Sequence, residues 1–482
     1  MPRIPLTGGA YTARSLKANA QECINLFPEV NPESSNPPVP VTYYPTPGLV
    51  PIAHPHSARV RGIWRASNGA LITVIGGNVY FVDTVIDNRI HFMGTIPVAE
   101  TPVSMSDNGV TGILVDGTDQ GYWWAVGNSP TLTPIVDAAF YATDFVVYLD
   151  GFFIFNRRGT NQFFVSPSFW NGTDPLDPLD IAAKIGGPDQ IIAIASIHRE
   201  LWIIGQLTSE VWFNAGGLDF PFERLPGVFL DHGMLRGYTL AQADVSLFWL
   251  SRDRQGQMMV FQSREYGAQR ISTHALEYEM RNYEDVTDAI GFCYQQEGHT
   301  FYVLTFPQAD ATWVYDISTQ LWHRRAWMDE NGVLHRHRAN CAVNVYNMVV
   351  CGDHTNGKLY KWDLDAYTDD GDPIRRVRSL PHIVNDGKRV SYNQFALDMQ
   401  VGQVPELQDS EDPEVLLRWS DTGGADWSNT VTLPYSRTGA YLAQLNARRL
   451  GYARDRVFEV SWSFPYKTAL QGPWVDVTPA ET

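Results

Sequence analysis

The chain has 482 residues, with Lys+Arg 36 against Asp+Glu 53 and a formal net charge of −17. Apolar residues make up 44% and aromatics 12%, charged residues only 18%, and there are 39 Gly and 30 Pro. This excludes a mostly disordered chain and argues against a helical one, and the acidic balance excludes a dedicated nucleic-acid binder, though not a local basic strip.

The first residues, MPRIPLTGGAY, contain no apolar core of a secretory signal. The most apolar stretch, Ala138 to Phe155, is interrupted by Asp144 and Asp150, so no membrane partner is expected. Residues 1–50 lack periodicity, and the proline-rich stretch from Phe27 to Pro47 leaves little room for helix. It reads either as a disordered tail or as an extended arm. Leu26, Phe27, Tyr43, Tyr44 and Leu49 favour an arm packed onto another surface.

From about 57 to 364 the sequence reads as short strands joined by tight turns. Gly69–Asp83 forms two β-rich runs around Gly76-Gly77-Asn78, and Asp144–Asn156 two more around Asp150-Gly151. Val110–Trp124, Ile194–Asn214, Ser246–Gln262, Ala289–Pro307 and Cys341–Asp363 repeat the pattern. Equivalent landmarks fall at Ile63, Val103, Val147, Ile192, Thr239, Ile290 and Ala342, spaced by 40, 44, 45, 47, 51 and 52 residues. A repeat of that length, mostly four short strands each, predicts a β-propeller of six or seven blades, because one small sheet cannot cover its own apolar faces. A string of β-sandwiches is the competing arrangement.

Two acidic, proline-bearing loops, Asp363–Pro373 and Val404–Glu414, mark a boundary. Strands resume at Arg389–Gly402, Glu414–Asp421 and Arg454–Phe464. In the last, Val457, Glu459 and Ser461 alternate with Phe458, Val460 and Trp462, the pattern of a half-buried strand. The expected division is therefore an arm over 1–50, a propeller over 51–364 and a β-sandwich-like domain over 365–482, an all-β fold throughout.

Chemistry-bearing motifs are scarce. Cys23, Cys293, Cys341 and Cys351 lack CxxC spacing and read as buried thiols, although Cys341 and Cys351 would face each other across a hairpin centred on Tyr346. Ser420–Trp427 (SDTGGADW) approaches the Asp-box hairpin of sialidase-type propellers, with Thr422 in the Asp position and Asp426 in the Thr position. It reads as a turn device. The Asp363–Asp372 loop could offer oxygens to Ca²⁺ but lacks EF-hand spacing and reads as solvated. His54-x-His56 and His335-x-His337 have no third ligand indicated. No catalytic residue, cofactor or metal is expected, and no enzyme. Arg448, Arg449, Arg454 and Arg456 form a basic strip that either pairs with Asp455, Glu459 or the acidic loops, or lines a path for a polyanion.

Several stretches carry a family resemblance. Glu22–Glu33 (ECINLFPEVNPE) with Tyr43–Leu49 resembles the opening of packaged-DNA stabilisation proteins of the P22 tail-hub type. Arg270–Glu277, Gly298–Pro307, Val314–His323 and the C-terminal RWSDTGGADWS…RRLGYARDRVFEVSWS resemble later stretches of that family, in the same order. The resemblance implies a component of the virion tail of a short-tailed phage, assembled in the host cytoplasm. It implies a homohexameric hub or nozzle below the portal–adaptor ring, meeting tailspikes or tail fibres and the needle or plug. Genomic DNA would be retained by it and pass through its lumen without specific binding. A β-propeller glycan-binding protein or glycosidase is the alternative, and a cellular scaffold propeller a third. Under the hub reading, Leu26, Phe27, Tyr43, Tyr44 and the strip Arg448, Arg449, Arg454, Arg456 are the expected assembly interface. The arm would lie across a neighbour, and removing residues 1–48 would leave a folded monomer.

Overall fold

Left-handed turn residues set the strand pairing. Gly76 at φ 59° joins Leu71–Ile75 to Asn78–Asp83, and Asp150 (φ 48°) with Gly151 (φ 98°) joins Val146–Leu149 to Phe152–Asn156. Both positive φ values in a two-residue turn match the right-handed twist of the strands they connect. The computed structural model describes all residues except 1–3, 5, 7, 32–39, 84–88, 402–412, 436–438, 440, 442 and 480–482. The proline run at 32–39 and most of the second acidic loop, 402–412, therefore lie outside the described residues.

Seven four-stranded antiparallel blades form among the described residues. Their innermost strands are Val60–Arg65, Ser104–Asp107, Val146–Leu149, Ile191–Ile197, Ala241–Ala243, Ile290–Gln296 and Ala339–Val345. Each sequence landmark lies in or within two residues of one of them, so the 40–52-residue pitch measured the step from one inner strand to the next. Between blades the sheets bury apolar layers. Tyr122 and Trp124 of the second blade meet Ile72, Phe81 and Met93 of the first, and Val60 and Leu71 meet Val350 and Leu359 of the seventh, which closes the ring. Each such fully buried side chain contributes roughly 1.5–3 kcal/mol before conformational entropy is subtracted.

The seventh blade takes its outer strand from the beginning of the chain. Met348–Asp353 and Leu359–Asp363 follow the inner strand, and Gly48–Ala53 pairs antiparallel with Leu359–Asp363. The strand thus straddles the position expected to divide arm from propeller. The sixth blade is not closed at its outer edge. Leu321–Met328 pairs with Cys23–Ile24, which pairs with Arg376–Ser379, then Asp455–Trp462, Glu414–Ser420 and Val431–Pro434. One continuous sheet therefore runs from the propeller into the sandwich. The opposing sandwich sheet is Leu26–Val30, Val41–Pro45, Leu470–Pro479, Val390–Met399 and Leu445–Arg448.

Two expectations change at this level. Asp455–Trp462 is buried on both faces, because it is a central strand and its polar members are paired: Glu459 accepts from Arg418 Nε (2.6 Å) and Ser379 Oγ (2.9 Å). The Cys341–Cys351 hairpin turns on two residues, Tyr346 and Asn347, both at positive φ. Its centre lies half a residue further on, so Cys341 faces Gly352 and Cys351 faces Ala342, and all four cysteines are free. The single α-helix among the described residues, His274–Arg281, is capped by Thr273, whose Oγ1 accepts the Leu276 N–H.

Candidate assembly surfaces

The N-terminal segment crosses between three sheets, and Asn25 is where it turns. Asn25 sits at φ 56° between Cys23–Ile24 and Leu26–Val30 and is buried. Its Nδ2 donates to the carbonyls of Ala326 (2.9 Å) and Arg375 (2.8 Å), and its Oδ1 accepts the Ala326 N–H (2.9 Å). Its backbone N–H donates to Arg324 O (2.9 Å), and its carbonyl accepts from Thr46 N (3.1 Å). One residue thus ties the sixth blade to the strand that enters the sandwich.

Arg378 holds the same seam from the sandwich side. Its guanidinium, fully buried, donates to the carbonyls of Gly8, Gly9 and Glu22 and to Gln21 Oε1 (2.7 Å), and it lies 4.8 Å from the centre of the Tyr43 ring. Tyr43 Oη donates to Leu6 O at 2.8 Å, and burial, partly offset by Arg378, pushes its hydroxyl up to about 12. His382 adds a third tie, with Nδ1 on Asp455 Oδ1 (2.7 Å) and Nε2 on Leu16 O (2.9 Å).

Leu26, Phe27 and Tyr43 are therefore covered by their own chain. Leu26 and Tyr43 lie in the core shared by the sandwich and the fifth and sixth blades, and Phe27 packs between the sixth and seventh blades against Phe301 and His299. Leu26 and Tyr43 have no exposed surface to offer a neighbour, and Phe27 shows only 6% of its surface. Tyr44 is half-buried against Phe27. The arm lies across its own molecule because unfilled strand positions exist there: the outer edges of two blades and one edge of the sandwich.

The basic strip divides. Arg456 is buried and clamps Asp421 bidentately (2.6 and 2.8 Å), with Nη1 on Leu450 O and its plane over Tyr392 at 4.3 Å. Its partner is the aspartate of the Asp-box-like turn, not Asp455 or Glu459. Those two stand at odd offsets from Arg456 on the same strand, so they point to its other face. Arg448, Arg449 and Arg454 are exposed. The turn itself is held by Ser420 Oγ, which accepts from Gly424 N (2.8 Å), and by Thr422 Oγ1, which accepts from Asp426 N (2.8 Å).

Of the Asp363–Asp372 acids, Asp365 is exposed, as expected of a solvated loop, while the others are engaged. Asp363 pairs with Lys361 (2.7 Å), Asp370 with Lys358 (2.5 Å) and Asp372 with Arg338 (2.5 Å). Asp369 is buried on a short strand beside Leu49, and burial, opposed by Arg338, Arg376 and Arg325, pushes its carboxyl up to about 7. His335 pairs with Asp310 (2.7 Å), whereas His337 is buried and accepts the Ala339 N–H, and His54 contacts Asn356 O. Among the described residues no three metal-ligating side chains converge.

The propeller axis is a narrow channel of about 530 Å³, lined by inner-strand residues such as Ile63, Val103, Val147, Ile290 and Ala342. That is the volume of roughly 18 waters, far too little for a nucleic-acid duplex. Arg61 lies beside it, buried, donating to the carbonyls of Thr101 (2.7 Å), Pro97 (2.9 Å) and Gly76 (3.1 Å), with Asp116 at 4.0 Å.

Comparison with known proteins adds the following. The family model described as "Bacteriophage P22 Gp10, beta-propeller" matches residues 2–367, and the one described as "Bacteriophage P22 Gp10, beta-sandwich" matches residues 375–477. No curated protein matches the chain. Among solved structures, the WD40 β-propeller domain of Doa1 is similar at 11% identity and a TM-score of 0.39, covering 65% of this chain and 97% of that one.

Proposed function

Since the chain belongs to the bacteriophage P22 Gp10 family, with both of its domains matched in order, we propose that it is a non-enzymatic structural subunit of a short-tailed phage tail. Six copies form a hub or nozzle ring that continues the channel of the portal–adaptor complex. The ring retains packaged DNA, docks tailspikes or fibres, and meets the needle or plug. The observation that carries this reading is the two-domain match, which runs over 2–367 and 375–477 and leaves only seven residues between them.

Physical features support it. A sheet continuous from the sixth blade into the sandwich makes the two domains one rigid lever, as a load-bearing ring requires. The 530 Å³ axial channel cannot pass a duplex, so under this reading the DNA path is enclosed between copies. A formal charge of −17 repels DNA over about one Debye length, roughly 8–10 Å, so a lumen built from such subunits lets DNA slide.

The test is incubation of the purified chain with a portal–adaptor complex, followed by imaging. Six-fold rings on the adaptor are expected. No association at micromolar concentration would sink the proposal.

A further inference from the structure

Two patches of unpaired charge stand at opposite edges of one sandwich sheet. That sheet runs from Leu26–Val30 at one edge, through three strands, to Leu445–Arg448 at the other. Four strand spacings of about 4.8 Å put the outer strands ~19 Å apart.

At the second edge, Lys388, Arg389, Arg448, Arg449 and Arg454 are all exposed. Pairing of Gln394 with Arg448 and of Val390 with Ala453 gathers them along one strand. None of the five is ion-paired among the described residues, in a chain whose other arginines include Arg61, Arg376, Arg378 and Arg456 fully buried. Tyr452 (67% exposed) and Val384 (61%) stand beside them, and Asp386 shares the turn with Lys388.

The first edge opens on a cleft of about 460 Å³ at the junction with the sixth blade and the segment after the seventh. Phe27, Tyr44 and Tyr367 wall it. Glu29, Glu297 and Asp365 are its exposed acids, none ion-paired among the described residues, and Lys467 stands at its rim. Carboxylates beside aromatic faces are what a guanidinium with an apolar stem binds, by charge-assisted hydrogen bonds and stacking.

We propose that the basic edge of one copy docks into the acidic aromatic cleft of the next. The patches are complementary, yet within one chain they sit on opposite sides of the sheet and cannot satisfy each other. Complementary patches displaced in this way give a head-to-tail contact, which generates a ring when the rotation closes. This rests on the ring reading above and adds its contact. The competing class of partner, a duplex on the basic edge, leaves the cleft without an occupant.

The experiment uses three variants of the full chain: Arg448→Glu/Arg449→Glu/Arg454→Glu, Glu29→Lys/Glu297→Lys/Asp365→Lys, and all six changes together. All six positions are exposed, and circular dichroism checks that each variant folds. Assembly is followed by sedimentation and mass photometry, alone and on the portal–adaptor complex. Each triple variant should weaken association about 100-fold or more, and the six-fold variant should restore it to within about tenfold of the parent. Rings that form unchanged in either triple variant overturn this contact while leaving the ring reading intact. A parent chain that never assembles removes both. Rings unaffected by the arginine changes, together with loss of a duplex mobility shift, assign the basic edge to DNA and also overturn it.

Discussion

Asn25 satisfies both polar atoms of its side chain across the seam between the sixth blade and the sandwich, while holding a left-handed backbone. Asn25→Ala should therefore cost about 3–5 kcal/mol of unfolding free energy, from stranded partners plus roughly 1 kcal/mol for a left-handed Cβ, and Asn25→Gly about 1 kcal/mol less. Urea unfolding of the two variants checks the order. Asp369 makes a pH prediction. Its carboxyl is raised from 3.8 to about 7 in the fold, chiefly by burial, so the native state holds a proton that the unfolded chain releases. That contribution is complete below about pH 4 and is lost as pH rises through 7, on the order of 4 kcal/mol at most. Asp369→Asn should flatten the decline in stability between pH 4 and pH 7, seen in urea midpoints at pH 5 and pH 8. Neither role was legible in sequence. ECINLFPEVNPE carried the resemblance, but nothing in it separates Asn25 from an ordinary turn residue, and Asp369 reads like any acid in an acidic loop. Arg456 stands in the strip expected at an assembly interface, yet it is buried and its partner Asp421 lies 35 positions away, in the turn after another strand, beyond what spacing along one strand can show.

At the scale of elements, the inner strands and most hairpins were legible because their causes are local. Gly76, Asp150-Gly151 and the alternation around them fix turns within a few residues. The two outer strands supplied from the N-terminus were not, because the partner of Leu49 is Trp362 and the partner of Ile24 is Val377, more than 300 residues on. The proline-rich composition of 1–50 fits an extended segment equally well on a neighbour or on its own chain, and only the unfilled edges decide. The consequence reverses one expectation: removing residues 1–48 should not leave a folded monomer. It strips strands from the sandwich and loosens the seventh blade, so the truncated chain should lose its cooperative thermal transition by calorimetry. A gentler probe is Gly48→Ala. A Cβ there would meet the carbonyl oxygens of Ala366 and Thr368 at 2.5 Å each. Backbone on both sides cannot yield, so a loss of roughly 2–3 kcal/mol is expected in urea unfolding.

For the whole molecule, the net charge and the narrow axis lead to the same conclusion. Among the described residues the buried charges balance, seven Arg or Lys (among them Arg61, Arg376, Arg378 and Arg456) against seven Asp or Glu (among them Asp116, Asp316 and Glu459), so the acidic excess falls on the solvent-facing surface. Duplex DNA at about 0.15 M salt should not shift in mobility with the full chain at micromolar concentration, and a tight, salt-resistant shift would contradict the sliding-lumen account. The blade pitch and the order of resembling stretches made the architecture legible at this scale. The seventh blade's strand exchange and the sheet shared with the sandwich came only from the structure. The most direct measurement of the central claim is a cryo-EM reconstruction, without imposed symmetry, of the tail of a phage particle carrying this chain. The account predicts six seven-bladed propellers, each with its sandwich, arranged head to tail around the DNA channel below the adaptor. A tail with no such ring, or with this chain absent from the particle, would contradict it.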